Sequence, residues 1–278
     1  MNTDIKLVAL DLDRTTLNSE SHLSEVNRQA LIDAISNGVH VCIASGRAFD
    51  TLPEDVISVP GIEYAITSNG AAIYRITGKE CLKSYLLTPS SVKTILNLTA
   101  NDTVTYEAFI KGQAFASTEY IRHPEKYGAT EHSLAYVKKT RLLKDDIKGF
   151  ILEHCHELDS LDIVVGDEEL KKDIMDRIRK ATDEVYMTSS ISQLLEISYK
   201  DAGKKSGVKF LTEYLGLSRE NVAAFGDADN DTDMIEYAGT GIAMENAAPH
   251  LKEIADHITL HHDKDGVAYA FRNILNIC

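Results

Sequence analysis

The sequence has no excess of basic residues, no long apolar run and no closely spaced cysteines, and each absence excludes a class of protein. With a formal net charge of -14 over 278 residues, it lacks the basic face that nucleic acid or an anionic membrane surface requires. No apolar stretch approaches the roughly 20 residues of a membrane span. The opening Met1-Asn2-Thr3-Asp4 has neither the basic start nor the apolar stretch of a signal peptide. Cys42, Cys81, Cys155 and Cys278 are far apart and form no Cys-x-x-Cys pair. That usage fits free thiols in a reducing cytoplasm and argues against a disulfide scaffold or a zinc site. Internal repeats, low-complexity tracts and long Pro/Gly linkers are also lacking. What is left is an ordinary globular composition, long enough for one or two domains with a buried core.

Leu7 to Leu10 is a short, uniformly apolar run, as expected of a strand covered on both faces in a parallel sheet. A helix follows: Ser24 can cap it, Val26, Ala30, Ala34 and Ile35 share a face, and Gly38 can end it. Val39 to Ala44 reads as the next strand, completing a right-handed βαβ unit. Tyr64 to Ser68 is a further strand, and Asn69-Gly70 signals a hairpin that returns over Ala71 to Tyr74. Toward the C-terminus the same rhythm predicts strands over Asn221 to Phe225 and Thr240 to Met244. Helices are predicted there over Thr232 to Ala238 and roughly Ala247 to Ala255.

The middle differs. Helices are predicted over Thr88 to Asn101, Asp145 to His156 and Asp167 to Thr182, and strands over Thr103 to Phe109 and Asp162 to Val165. The fold class expected is therefore α/β: a Rossmann-like parallel-sheet core domain formed by residues 1–84 and 193–278, with an inserted α+β cap domain over 85–192.

Candidate chemistry sits just past the predicted strands, where open α/β sheets place their sites. Asp11-Leu12-Asp13 follows the first strand, and two acids spaced by two in extended backbone point the same way. Like charges that close are unfavourable unless a cation joins them. Ser45-Gly46-Arg47 follows the second strand and offers a hydroxyl and bare backbone N–H groups, which suit a phosphate. Lys204 lies near a helix start and can serve as a point charge for a phosphoryl group. It is not a P-loop lysine, because Ser198 stands where the first glycine belongs and Lys205 where Ser or Thr should follow. Gly226-Asp227-Ala228-Asp229-Asn230-Asp231 is a dense set of oxygen ligands at a glycine turn. An EF-hand loop is excluded: counted from Asp227, Thr232 replaces the glycine and Ala238 the terminal glutamate. Gly239-Thr240-Gly241 lacks the third glycine of a dinucleotide fingerprint, and His261-His262 is expected in a solvated loop.

Taken in order, these segments resemble the haloacid dehalogenase-like superfamily of phosphatases, in its Cof-type branch of cytoplasmic sugar-phosphatase-like enzymes with a large inserted cap. Thr67-Ser68-Asn69-Gly70-Ala71, Met244-Glu245-Asn246-Ala247 and Asp265-Gly266-Val267-Ala268 add to the match, which covers both flanks of the chain. The resemblance implies a Mg²⁺-dependent phosphatase of small phosphorylated metabolites, with sugar phosphates as the default. Asp11 is then the nucleophile and Asp13 the general acid and base. Mg²⁺ is held by Asp11, the backbone carbonyl of Asp13 and Asp227, with Asp231 holding one of its waters. Ser45, Gly46 and Lys204 grip the phosphate, with Lys205 as the alternative lysine, and Asn230 orients the site. The alternatives are a phosphotransferase or mutase on the same scaffold, or a catalytically weak metal- or ligand-binding homologue. The expected partners are a small phosphorylated metabolite, with no nucleic acid and no membrane, and the expected state is a monomer or weak homodimer. Arg14 departs from the family, which usually has Gly there. Arg14 then takes a negative φ, reaches a substrate group, or marks a weakened enzyme.

Overall fold

The computed structural model describes residues 4–278. In chain order it forms β1 (Leu7–Leu10), β2 (His40–Ala44), β3 (Ile62–Thr67), β4 (Ala72–Arg75) and β5 (Glu80–Ser84). It continues with β6 (Thr105–Ile110), β7 (Gln113–Ser117), β8 (Leu142–Lys144), β9 (Leu158–Val164), β10 (Val185–Thr188) and β11 (Leu194–Tyr199). The last strands are β12 (Val222–Gly226), β13 (Thr240–Ala243) and β14 (His257–Ile258). The strands make two sheets, and the chain divides into two compact units. Among the described residues the first unit holds 4–47, 52–83 and 203–278; the second holds 48–51 and 84–202.

The first unit is built on an eight-stranded sheet in the order β14-β13-β12-β1-β2-β3-β4-β5. From β14 through β3 neighbouring strands run parallel, and β4 turns back antiparallel to β3. β1 is central and all four of its residues are buried. An alternating strand could not lie here, because polar side chains would then face helices. Burying a Leu or Val side chain is worth about 1.5–3 kcal/mol, so this short run is a large part of what fixes the sheet.

The helix Glu25–Ser36 follows β1, capped by the Ser24 side chain, which accepts from the backbone N–H of Asn27. It buries Asn27, Ala30, Leu31 and Ala34. Val26, expected on that face, is 43% exposed, and Asn27 and Leu31 are buried beside Ala30 and Ala34 instead. The predicted hairpin forms with Thr67 opposite Ala72. Its turn is longer than the two-residue kind, with Ser68, Asn69 and Gly70 all at positive φ.

The second unit has a six-stranded sheet in the order β10-β11-β9-β6-β7-β8, antiparallel apart from the β7–β8 pair. Helices Pro89–Leu98, Ile147–Glu153 and Glu168–Ala181 supply one side of a core that includes Tyr106, Leu161, Ile163, Leu195 and Ile197. The alternate positions of the same strands include buried polar residues. Glu107, Asp162 and Glu196 lie side by side across β6, β9 and β11 and are all buried. The buried Arg141 places Nε 2.6 Å from Glu107 Oε2. This unit runs to Ala202, past the expected 192, because β11 pairs with β9.

Candidate active site

Parallel register sets the carboxyl ends of β2, β1 and β12 beside one another, with Leu10 opposite both Ile43 and Phe225. The next residues along each strand are therefore brought to one edge. They are Asp11 after β1, Ser45 after β2 and Asp227 after β12. The Asp11 N–H continues the ladder, donating to the Phe225 carbonyl at 3.1 Å.

Asp11 is buried and faces Lys204. The Lys204 side chain is fully buried, with Nζ 2.7 Å from Asp11 Oδ1 and 2.6 Å from Asp231 Oδ1. Lys204 opens the helix Lys204–Tyr214, and Lys205, one residue on, is exposed. Lys204 is aimed by the preceding glycine. Gly203 has φ +120 and donates its N–H to the Asn69 carbonyl at 3.0 Å. A Cβ on Gly70 would lie 1.9 Å from the Gly203 carbonyl oxygen, so the hairpin turn and the helix start touch through bare backbone.

Asp231 is held on both oxygens. One accepts from Lys204, and the other accepts from the backbone N–H groups of Asp227 and Ala228 at 2.9 and 3.0 Å. Thr15 Oγ1 donates to Asp227 Oδ1 at 3.4 Å, and Asn230 Nδ2 to Asn69 Oδ1 at 3.0 Å. Ser45 is buried; its Oγ accepts from the Arg47 N–H at 3.2 Å, and Gly46 between them is half-buried. Asp13 lies outside this buried group. It is half-exposed and bound by Arg47 in a two-bond fork, Nε to Oδ2 at 2.8 Å and Nη2 to Oδ1 at 2.6 Å.

Asp11, Asp227 and Asp231 each offer an oxygen, all within 4.8 Å of one another and all buried. These carboxylates share the single buried ammonium of Lys204. Burial is the main cause that raises Asp11 well above the ordinary carboxylate range; Lys204 opposes it, and Asp231 and Asp227 add to it. Burial and then Asp231 push Asp227 up to about 7, with Arg14 and Lys204 offsetting part. Burial alone would lower the Lys204 ammonium, but Asp11 and Asp231 outweigh it and raise it. The lysine therefore stays charged, with three carboxyl groups gathered around it. A hard, all-oxygen donor set of three close carboxyl groups fits a divalent cation of the Mg²⁺ type.

Two expectations change. Arg14 does not take a negative φ: it sits at φ 61, ψ 13, in the left-handed region. His262 is not in a solvated loop. It is buried, with Nδ1 2.9 Å from the Leu17 carbonyl oxygen, while Asp263 accepts from the N–H and hydroxyl of Ser19. The fork from Arg47 to Asp13 was not foreseen, and its only trace in the sequence is a basic residue next to Ser45-Gly46.

This architecture has close parallels. The family model of haloacid dehalogenase-like hydrolases matches residues 8–271. The chain is 30% identical over 272 residues to the 5-amino-6-(5-phospho-D-ribitylamino)uracil phosphatase YcsE of Bacillus subtilis, covering 98% of this chain and 96% of that protein. It is 30% identical over 292 residues to phosphatase YwpJ of the same organism, covering 98% and 100%. A solved haloacid dehalogenase-like hydrolase from B. subtilis has a TM-score of 0.82 at 27% identity, over 98% of this chain and 100% of that one. A HAD subclass IIB sugar phosphatase shares the fold with a TM-score of 0.83 at 20% identity, over 98% and 100%. The chain belongs to the haloacid dehalogenase-like hydrolases. Within that family it stands with the phosphatases.

Proposed function

We propose that this protein is a Mg²⁺-dependent phosphatase of small phosphorylated metabolites that works through a phosphoryl group carried on Asp11. The observation that supports this most is the buried Lys204 ammonium 2.7 Å from Asp11, inside a trio of buried carboxylates. A lone surface acid would have no such partner.

In the first half-reaction an Asp11 oxygen bonds to phosphorus as the bond to the leaving oxygen breaks. Asp13, released from the Arg47 fork and in its protonated form, gives that oxygen its proton. In the second, Asp13 takes a proton from water, the water oxygen bonds to phosphorus, and the bond to Asp11 breaks. Lys204, the Ser45 hydroxyl and the Gly46 backbone hold the phosphoryl oxygens, whose charge is spread widest as bonds loosen. Asp11, the Asp13 carbonyl and Asp227 would hold Mg²⁺, with Asp231 fixing Lys204 and the Asp227 loop behind them. When bound, Mg²⁺ screens the repulsion between carboxylate and phosphate and polarises the phosphoryl oxygens. Asn230, tied to Asn69, keeps the β12 loop against the hairpin turn.

The named relatives favour a phosphoester of a sugar or polyol as substrate. Exhaustive treatment with EDTA is expected to stop hydrolysis of p-nitrophenyl phosphate, and added Mg²⁺ to restore it. Full activity in metal-free protein would remove the metal from the reading.

A further inference from the structure

Arg14 occupies a backbone position unsuited to it. Its φ of 61 lies in the left-handed region, which is strained for a long side chain. The loop leaves it no choice. The Arg14 carbonyl accepts from Asn246 Nδ2 at 2.9 Å, and the Leu17 N–H closes back on the Leu12 carbonyl at 2.9 Å. The Thr16 hydroxyl also donates to the Asp11 carbonyl at 2.6 Å. Glycine or asparagine would meet the same geometry with less strain. An arginine kept there points to its charge.

That charge faces one carboxylate. Arg14 Nε is 3.7 Å from Asp227 Oδ2, within ion-pair range but too long for a hydrogen bond. The other cations of the site are bound tightly elsewhere: Lys204 by Asp11 and Asp231, and Arg47 by the fork to Asp13. The Arg14 guanidinium makes no hydrogen bond among the described residues, and its side chain is 66% exposed, whereas that of Asp227 is 5% exposed. It is therefore a loosely tethered cation against a buried acid.

We infer that Arg14 competes with the divalent cation for Asp227 and so weakens the protein's affinity for it. The inference rests on the reading of Asp227 as a metal ligand. The carboxylate that a divalent ion needs is already partly neutralised, and a guanidinium at that distance repels a second cation. Exposed ion pairs are worth at most about 1 kcal/mol, so the competition amounts to about fivefold in dissociation constant. Being exposed, it is screened by salt.

The test is calorimetric titration of Mg²⁺ into metal-stripped protein without substrate. Arg14→Asn removes the charge and tolerates the left-handed backbone; Arg14→Lys keeps the charge. The expected result is about fivefold tighter binding for Arg14→Asn, shrinking at high salt, with Arg14→Lys within about twofold of the parent. Equal affinity in parent and Arg14→Asn overturns the inference. So does equal tightening in both variants, which would assign the effect to bulk or backbone. No binding in any of the three proteins overturns the metal reading itself. Matched thermal unfolding confirms that each variant is folded.

Discussion

Asp159 shows what one uncompensated carboxyl does. One oxygen accepts from Ser84 Oγ at 3.1 Å, and the other is buried without a hydrogen-bond partner. Burial pushes this group up to about 6, and Ser84 and nearby backbone N–H groups offset only part. The folded chain therefore holds a proton there that the unfolded chain releases at about pH 4. Where the folded state binds more protons, stability falls as pH rises. The stabilisation is full below about pH 4 and lost by about pH 6, a loss of order 2–3 kcal/mol. Asp159→Asn is expected to flatten that part of the profile and raise stability at pH 7, read by urea unfolding from pH 4 to 7. A profile unchanged by the substitution would contradict the assignment.

Lys204 is the residue-scale question for activity. A buried unit charge against a phosphoryl oxygen at about 4 Å is worth roughly 4 kcal/mol at an effective dielectric near 20. Lys204→Ala is expected to lower kcat by about a thousandfold and Lys205→Ala by less than about twofold. The sequence favours Lys204 and leaves Lys205 as the alternative. The choice depends on where the helix begins, and that follows from a backbone contact between Gly203 and the hairpin turn. The sign of φ at Arg14 was equally hidden, because Asn246, which holds the Arg14 carbonyl, is 232 residues away.

At the scale of elements, the core strands were legible because β1, β2 and β12 are short apolar runs ending in chemistry-bearing residues. β11 was not legible. Its Leu-Leu-Glu-Ile-Ser-Tyr carries a buried Glu196, whose place is set by its neighbours Asp162 and Glu107 across the sheet. The short strands β8 and β10 gave little periodicity to read. The contact between hairpin and helix start supplies an element-scale test. Gly70 has φ +90 and no room for a Cβ. Gly70→Ala is expected to cost about 2–4 kcal/mol in thermal unfolding and to lower kcat by displacing Lys204. A variant matching the parent in both would show that this contact does not aim the lysine.

For the whole molecule, a chain of net charge -14 that handles an anionic substrate must concentrate positive charge locally. It does so with the buried Lys204 beside Asp11, Arg47 on Asp13, and Arg14 at Asp227. The account requires that the Asp11 carboxylate at this edge itself bonds to phosphorus. The direct measurement is a single turnover quenched in acid, reduced with borohydride and mapped by mass spectrometry. Borohydride converts an acyl phosphate of aspartate to homoserine, and the account predicts that conversion at position 11 and not in Asp11→Asn. Conversion at another residue, or an unmodified Asp11 under conditions where product forms, would contradict it.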